Sequence, residues 1–392
     1  VNGQFAGHIV LSDQLKPTAA EAIKKSGINA FQIDGISISS QGITIVPVDE
    51  KINPLYPAIT WLDTRTEEEV AEIAKTFSPE EIFCHTGKPL AACYTLPKLL
   101  WLQKYQPEIY AKAYKFLMPM EFLIAKFTGR CITDHSMASG TLLYDIHDQC
   151  WSEKILATYS IPLSKLPELG WSGEKAGCVL PEVAQKLGLR TDCVVAIGAQ
   201  DQKCAALGVG LKEGMMTVSL GTACAIEKYW TAAIPETVNN IPWSSFTKKG
   251  TWVTEGVINA AATCFRWLRD TMFPGESYDT ITAEALAARN RGSNLFFYPY
   301  MAGTCGPHNY PGATGCFHGL TLAANRGDFA LAVMEGIAFQ IRSVLEAMQA
   351  KDEHLILFGG GSKGPIWCQI IADATGKTLT VNGKVVVTDN GK

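Results

Sequence analysis

The chain has 392 residues, 47% of them apolar and 18% charged, and a formal net charge of -4. That length exceeds what one hydrophobic core usually serves, so two domains are expected, and the composition excludes a disordered chain. The charge gives no reason to expect nucleic acid or an anionic membrane as partner, and no apolar run approaches the roughly 18 to 20 residues of a spanning helix.

No basic stretch followed by an apolar core marks a secretory leader at the N-terminus. The twelve cysteines are scattered through apolar segments with no Cys-x-x-Cys pair. That pattern points to buried free thiols in a reducing, cytoplasmic setting, and away from a disulfide framework or zinc.

In chain order, Ile36 to Val48 reads as two short strands, or one bent strand, interrupted at Gln41-Gly42. A charged helix is predicted from about Thr64 to Lys75. Two more follow at Leu96 to Lys104 and Pro107 to Phe127, the second closed by Thr128-Gly129. Prolines punctuate the next stretch, which ends in the buried strand Cys193 to Gly198. Beyond it glycine turns alternate with strands and helices. These comprise a small-residue helix at Cys204 to Val209, a strand at Met215 to Leu220 and a helix at Val257 to Met272. A helix at Asp328 to Ala350, the strand His354 to Phe358 and a helix reaching Ala374 complete the series. Strands that feed glycine turns and then helices are the texture of ligand-binding α/β domains. The domain boundary is placed near Gly198.

Four constellations carry chemistry. Asp201, in Gly198-Ala-Gln-Asp201-Gln202, follows a buried strand, where a carboxylate can take the proton of an attacking hydroxyl; an ordinary helix N-cap is the alternative. Ser219-Leu-Gly221-Thr222 ends a strand and can present N–H groups to phosphate, although many hairpins contain Gly-Thr. Gly359-Gly360-Gly361-Ser362 joins a strand to a helix without the P-loop spacing. It suits either a nucleotide lying on the backbone or a tight connection. Trp61-Leu-Asp63-Thr-Arg65 offers an apolar face and hydroxyl-binding groups to a polyol, or a surface ion pair. His308, in a Gly/Pro-rich loop, is a pocket candidate; His85, His135 and His318 read as structural.

Taken in order, these pieces resemble the FGGY family of carbohydrate kinases, from about Ile36 to Val381. Tyr94-Thr-Leu-Pro-Lys98-Leu-Leu-Trp101-Leu102 is similar to one diagnostic segment of that family. Gly315-Cys-Phe317-His-Gly319-Leu320, with Asp328-Phe329 and Ala332-Val-Met-Glu335, is similar to the other. Pro57-Ala-Ile-Thr-Trp61-Leu-Asp63-Thr-Arg65 resembles a stretch of pentulose kinases.

The resemblance implies an α/β, actin-like (ribonuclease H-like) ATPase fold of two domains around a cleft. Residues 1–197 would form the sugar-binding domain and 198–392 the ATP-binding domain. It implies Asp201 as catalytic base and Mg²⁺ contact. Gln41, Gly42, Trp61, Asp63 and Gln202 would line the sugar pocket, and Gly221, Thr222, Gly359, Gly360, Gly361 and Ser362 would hold ATP. The expected acceptor is a small sugar or polyol of pentulose type such as xylulose, and a homodimer is compatible with the sequence.

Departures from the family are also expected to matter. Nothing before Ile36 matches its opening Asp-x-Gly-Thr turn, Gly303-Thr304-Cys305 replaces a Gly-Glu-Arg, and the sequence diverges past Val381. A chain truncated at both ends is therefore expected, which keeps two other readings open. One is a catalytically impaired fragment or sugar-binding pseudokinase, and the other is a non-kinase ATPase of the actin class.

Overall fold

The computed structural model describes residues 23–232, 234, 241–304, 307, 310, 312–351 and 354–386. The chain divides into two compact units, Val1–Ala205 with Ser244–Thr251, and Ala206–Trp243 with Trp252–Lys392.

The first unit is organised on three strands. Val194–Gln200 lies between Gly35–Ser40, to which it is parallel, and Lys175–Cys178, to which it is antiparallel. The helix Pro119–Thr128 covers this sheet. Its Met120, Leu123, Ile124 and Phe127 pack with Ile38, Val195 and Ile197 in one buried cluster. Each such side chain contributes on the order of 1.5–3 kcal/mol on leaving water.

The two parallel strands do not run in simple register. Ser37 pairs with Ala196 and Ser39 with Ala199, so Ile38 faces two residues, Ile197 and Gly198. An extra residue of this kind bends the strand that carries it and re-aims the side chains beyond the bend. A Cβ on Gly198 would lie 1.7 Å from the Ile38 carbonyl oxygen, so only glycine fits.

One expectation for this unit needs correction, and another is met. The single helix predicted over Pro107 to Phe127 is a helix Pro107–Lys112, a strand Lys115–Leu117 and a second helix Pro119–Thr128. Pro119 has no N–H to continue a helix and pushes Met118 to extended backbone (φ -85, ψ 172). The strand before it is recruited by Val46–Val48, with which it pairs antiparallel. The stretch Ile36 to Val48 does yield two strands, Gly35–Ser40 and Val46–Val48, but they belong to different sheets.

The second unit is built on six strands in the order Trp252–Ile258, Cys224–Trp230, Met215–Leu220, His354–Phe358, Thr378–Val381, Lys384–Val386. Its central pair, Met215–Leu220 and His354–Phe358, is parallel. The helix Arg326–Ala347 starts at a capping box between Asn325 and Asp328. It packs against Ala262–Met272, Tyr278–Arg291 and Pro365–Thr375. The helix predicted from Val257 begins at Ala262 instead. Val257 and Ile258 pair with Ala225 and Cys224 as the end of a strand, where their β-branched side chains fit a pleated surface. No helix among the described residues is long and apolar enough to cross a membrane.

Candidate active site

In the first unit the parallel strands end side by side, with Ser40 paired to Gln200. Gln41-Gly42 continues one strand and Asp201-Gln202 the other. A Cβ on Gly42 would sit 3.7 Å from Gln200 Cγ, so the two strand ends touch. Asp201 opens the helix Asp201–Gly208 and is exposed. Its Oδ1 accepts from Gln200 Nε2 at 2.6 Å and from the Gln202 backbone N–H at 2.8 Å. The carboxylate is thus aimed by its neighbours on an exposed residue.

The strand end is anchored from below. The Gln200 backbone N–H donates to Ser136 Oγ at 3.1 Å. Ser136 lies in the short helix His135–Ala138, capped by the buried Asp134, which accepts from the Ser136 and Met137 N–H groups and from Ser172 Oγ. His135 stacks on Trp171, with ring centroids 3.7 Å apart, and its Nδ1 lies 2.7 Å from the Tyr144 hydroxyl. Burial pulls its pKa down to about 4, so the ring is neutral and structural. His85 is likewise hydrogen-bonded, to Ser152. His308 lies outside the described residues.

The Trp61–Arg65 turn runs beside the loop after the first strand. The Trp61 N–H donates to Thr44 Oγ1 at 3.2 Å, and Ile45 bridges to Ile59. Trp61 is 46% exposed, which leaves apolar surface accessible. Asp63 is gripped by Arg65 through both carboxylate oxygens, at 2.7 to 3.0 Å. Those hydrogen bonds hold the Asp63 carboxyl below the usual range. Arg65 in turn lies 4.9 Å over the Trp101 ring. The ion pair therefore exists, and it fixes the direction of the Asp63 carboxylate.

In the second unit the turns singled out from the sequence share one sheet edge, because Ser219 pairs with Phe358 in parallel register. Gly221-Thr222 follows one strand and Gly359-Gly360-Gly361 the other. Two of the three glycines are required by the protein itself. A Cβ on Gly359, where φ is +93°, would lie 2.8 Å from the Leu220 carbonyl oxygen, and one on Gly361 would lie 2.6 Å from Leu220 side-chain carbons. Gly360 differs, with nothing within 4 Å of its Cβ position. Ser362 is buried and donates its hydroxyl to the Gly359 carbonyl at 2.8 Å, so it braces the turn.

The carbonyls of Gly221 and Thr222 accept from the first N–H groups of the helix Ala262–Met272. Arg266, on that helix, reaches Thr222 Oγ1 at 3.3 Å and is exposed. A cation at the phosphate-type turn is a feature that sequence reading did not single out. The signal was only an arginine 44 residues further along the chain. Among the described residues no three His, Cys, Asp or Glu side chains gather as a metal site.

Two units, each with strand-end turns at one sheet edge, define an actin-like α/β ATPase fold whose residues suit phosphoryl transfer to a hydroxyl. The N-terminal domain model of the FGGY family of carbohydrate kinases matches residues 11–208, and the C-terminal domain model matches residues 216–387. The chain belongs to that family and is a phosphotransferase with an alcohol acceptor.

It is 33% identical to the xylulose kinase of Lactococcus lactis over 347 residues, 87% of this chain and 69% of the relative. Among solved structures it is similar to a xyloylose kinase from Brucella ovis (30% identity, TM-score 0.81, 93% of this chain and 74% of that one). It is also similar to Plasmodium falciparum glycerol kinase with ADP (25% identity, TM-score 0.83, 93% and 74%).

Proposed function

We propose that this carbohydrate kinase transfers the γ-phosphoryl group of ATP to a hydroxyl of a pentulose of the xylulose type, with Asp201 as the general base. The observation that carries the reading is the meeting of two parallel strand ends, which sets Gln41-Gly42 beside Gln200-Asp201. The similarity to xylulose kinases, at 33% and 30% identity, supports the pentulose.

In this reading residues 1–197, with Asp201 and Gln202 just beyond them, bind the sugar, and the rest of 198–392 the nucleotide. Trp61 offers its exposed ring to the apolar side of the substrate chain. Asp63, held by Arg65, accepts from a sugar hydroxyl, and the amides of Gln41 and Gln202 fix its neighbours. Asp201 removes the proton of the reacting hydroxyl as its oxygen forms a bond to the γ-phosphorus; the bond from that phosphorus to the bridging oxygen breaks and ADP leaves. Arg266 and the turn at Gly221-Thr222 face the phosphates, and Gly360 gives the adenosine a backbone surface without a side chain. Mg²⁺ asks for one or two carboxylates and completes its shell with water and phosphate oxygens, so Asp201 without a larger acidic cluster fits it. The metal would neutralise phosphate charge during transfer.

The test is steady-state ADP release with D-xylulose, D-gluconate, glycerol or no acceptor. Turnover is expected to be greatest with D-xylulose. A higher kcat/KM with gluconate or glycerol would refute the pentulose assignment, and equal hydrolysis without acceptor would refute the kinase reading.

A further inference from the structure

Lys98 stands out as a lysine placed where structure alone gives no reason for one. It lies in the first turn and a half of the helix Thr95–Tyr105 and is 0% exposed. A cation near a helix N-terminus meets the positive end of the helix dipole, and burial adds a desolvation cost. Its hydrogen bonds go to two backbone carbonyl oxygens, those of Ile43 at 2.7 Å and Cys93 at 2.6 Å. The Asp63 carboxylate adds favourable charge from a distance but spends its own hydrogen bonds on Arg65.

The carbonyl of Ile43 belongs to an unusual turn. Ile43 has φ +57°, a left-handed conformation that a β-branched residue rarely adopts. The Gly42 carbonyl accepts from the Thr44 N–H at 2.8 Å, closing a three-residue turn around it. Strain of this kind persists only where the surroundings hold it. Three contacts do so: the Gly42–Thr44 bond, the Ile43 N–H on Met118 Sδ at 3.3 Å, and Lys98 on the Ile43 carbonyl. The turn comes directly after Gln41-Gly42 and, through Thr44, supports Trp61.

We infer that Lys98 is a positioning residue for the acceptor sugar, holding the strained Gln41–Thr44 turn and the Cys93 segment in the geometry that binds it. The inference rests on the assignment of Gln41, Gly42, Trp61 and Asp63 to the sugar. Without the ammonium group two part-buried carbonyls lose this donor and the turn relaxes toward an ordinary conformation. The loss falls on sugar affinity, because both carbonyls that Lys98 holds lie in the first unit, and the turns assigned to ATP in the second.

The test compares the wild type with Lys98→Met, which keeps the length of the side chain and removes its donors, using D-xylulose and ATP. The KM for D-xylulose is expected to rise at least tenfold while the KM for ATP stays within twofold. Lys98→Arg, which supplies donors with a different reach, should fall between the two. A folded Lys98→Met with an unchanged sugar KM overturns the inference, as does an equal rise in both KM values or a fall in kcat alone. Should Lys98→Met not fold, Lys98→Arg decides: a threefold or greater rise in sugar KM alone supports the role, and any other pattern contradicts it. A wild type with no D-xylulose-dependent turnover would instead sink the functional reading, and the inference with it.

Discussion

Gly360→Ala separates a glycine kept for the protein from one kept for a ligand. Gly360 does not have a left-handed φ, and its Cβ position has no heavy atom within 4 Å. The folded state should accept a methyl group without strain, while the unfolded chain loses freedom, a gain of about 0.4–1 kcal/mol. For a unit of this size that is a rise of about 1 to 4 °C in Tm. If adenosine lies on the turn, the same methyl group stands between it and the backbone. A loss of about 1.4 kcal/mol of binding is a tenfold rise in KM for ATP. Thermal melts and initial rates with varied ATP at saturating sugar measure both quantities. Gly359→Ala is the control: its left-handed φ and the Leu220 carbonyl should make it less stable by about 1–3 kcal/mol. An unchanged ATP KM in Gly360→Ala would refute the placement of the nucleotide, and a fall in Tm would refute the open space.

Two further outcomes concern the first unit. Glu121 is fully buried, hydrogen-bonded to Thr133 through one oxygen and without a partner at the other, and burial raises its pKa to about 7 from 4.5. The folded state therefore binds more protons than the unfolded one between those values, and stability falls by up to roughly 3 kcal/mol as pH rises from about 4.5 through 7. Glu121→Gln should be more stable than wild type at pH 8 and similar at pH 4.5, and equal pH dependence of the two melts would contradict this. Gly198→Ala should lose about 3 kcal/mol or more, since its Cβ would overlap the Ile38 carbonyl; wild-type stability in a denaturant titration would show that the bulge is not required.

How much of this was legible in the sequence depended on how local each cause is. The strands Met215–Leu220 and His354–Phe358 lie where short, mostly apolar runs followed by glycine turns place them. The break at Pro119 was missed because the flanking segments are both apolar, and only pairing with Val46–Val48 makes a strand of Lys115–Leu117. The motifs around Asp201, Thr222 and Gly360 were visible as glycine turns after strands, and the parallel registers explain why the turns of each unit meet. The supports that hold those turns were not visible. Lys98 is 55 residues from Ile43, and Ser136 is 64 from Gln200, so no spacing rule connects them. The distinct roles of the three consecutive glycines likewise depend on how closely Leu220 approaches each one.

Asp201→Asn measures the main claim most directly. The substitution keeps the size of the side chain and an oxygen to accept the Gln202 N–H, so the fold and the KM for D-xylulose should change little. Removal of a positioned general base should lower kcat by about 10²–10⁴. A purified, folded Asp201→Asn enzyme that turns over D-xylulose and ATP at the wild-type rate would contradict the account.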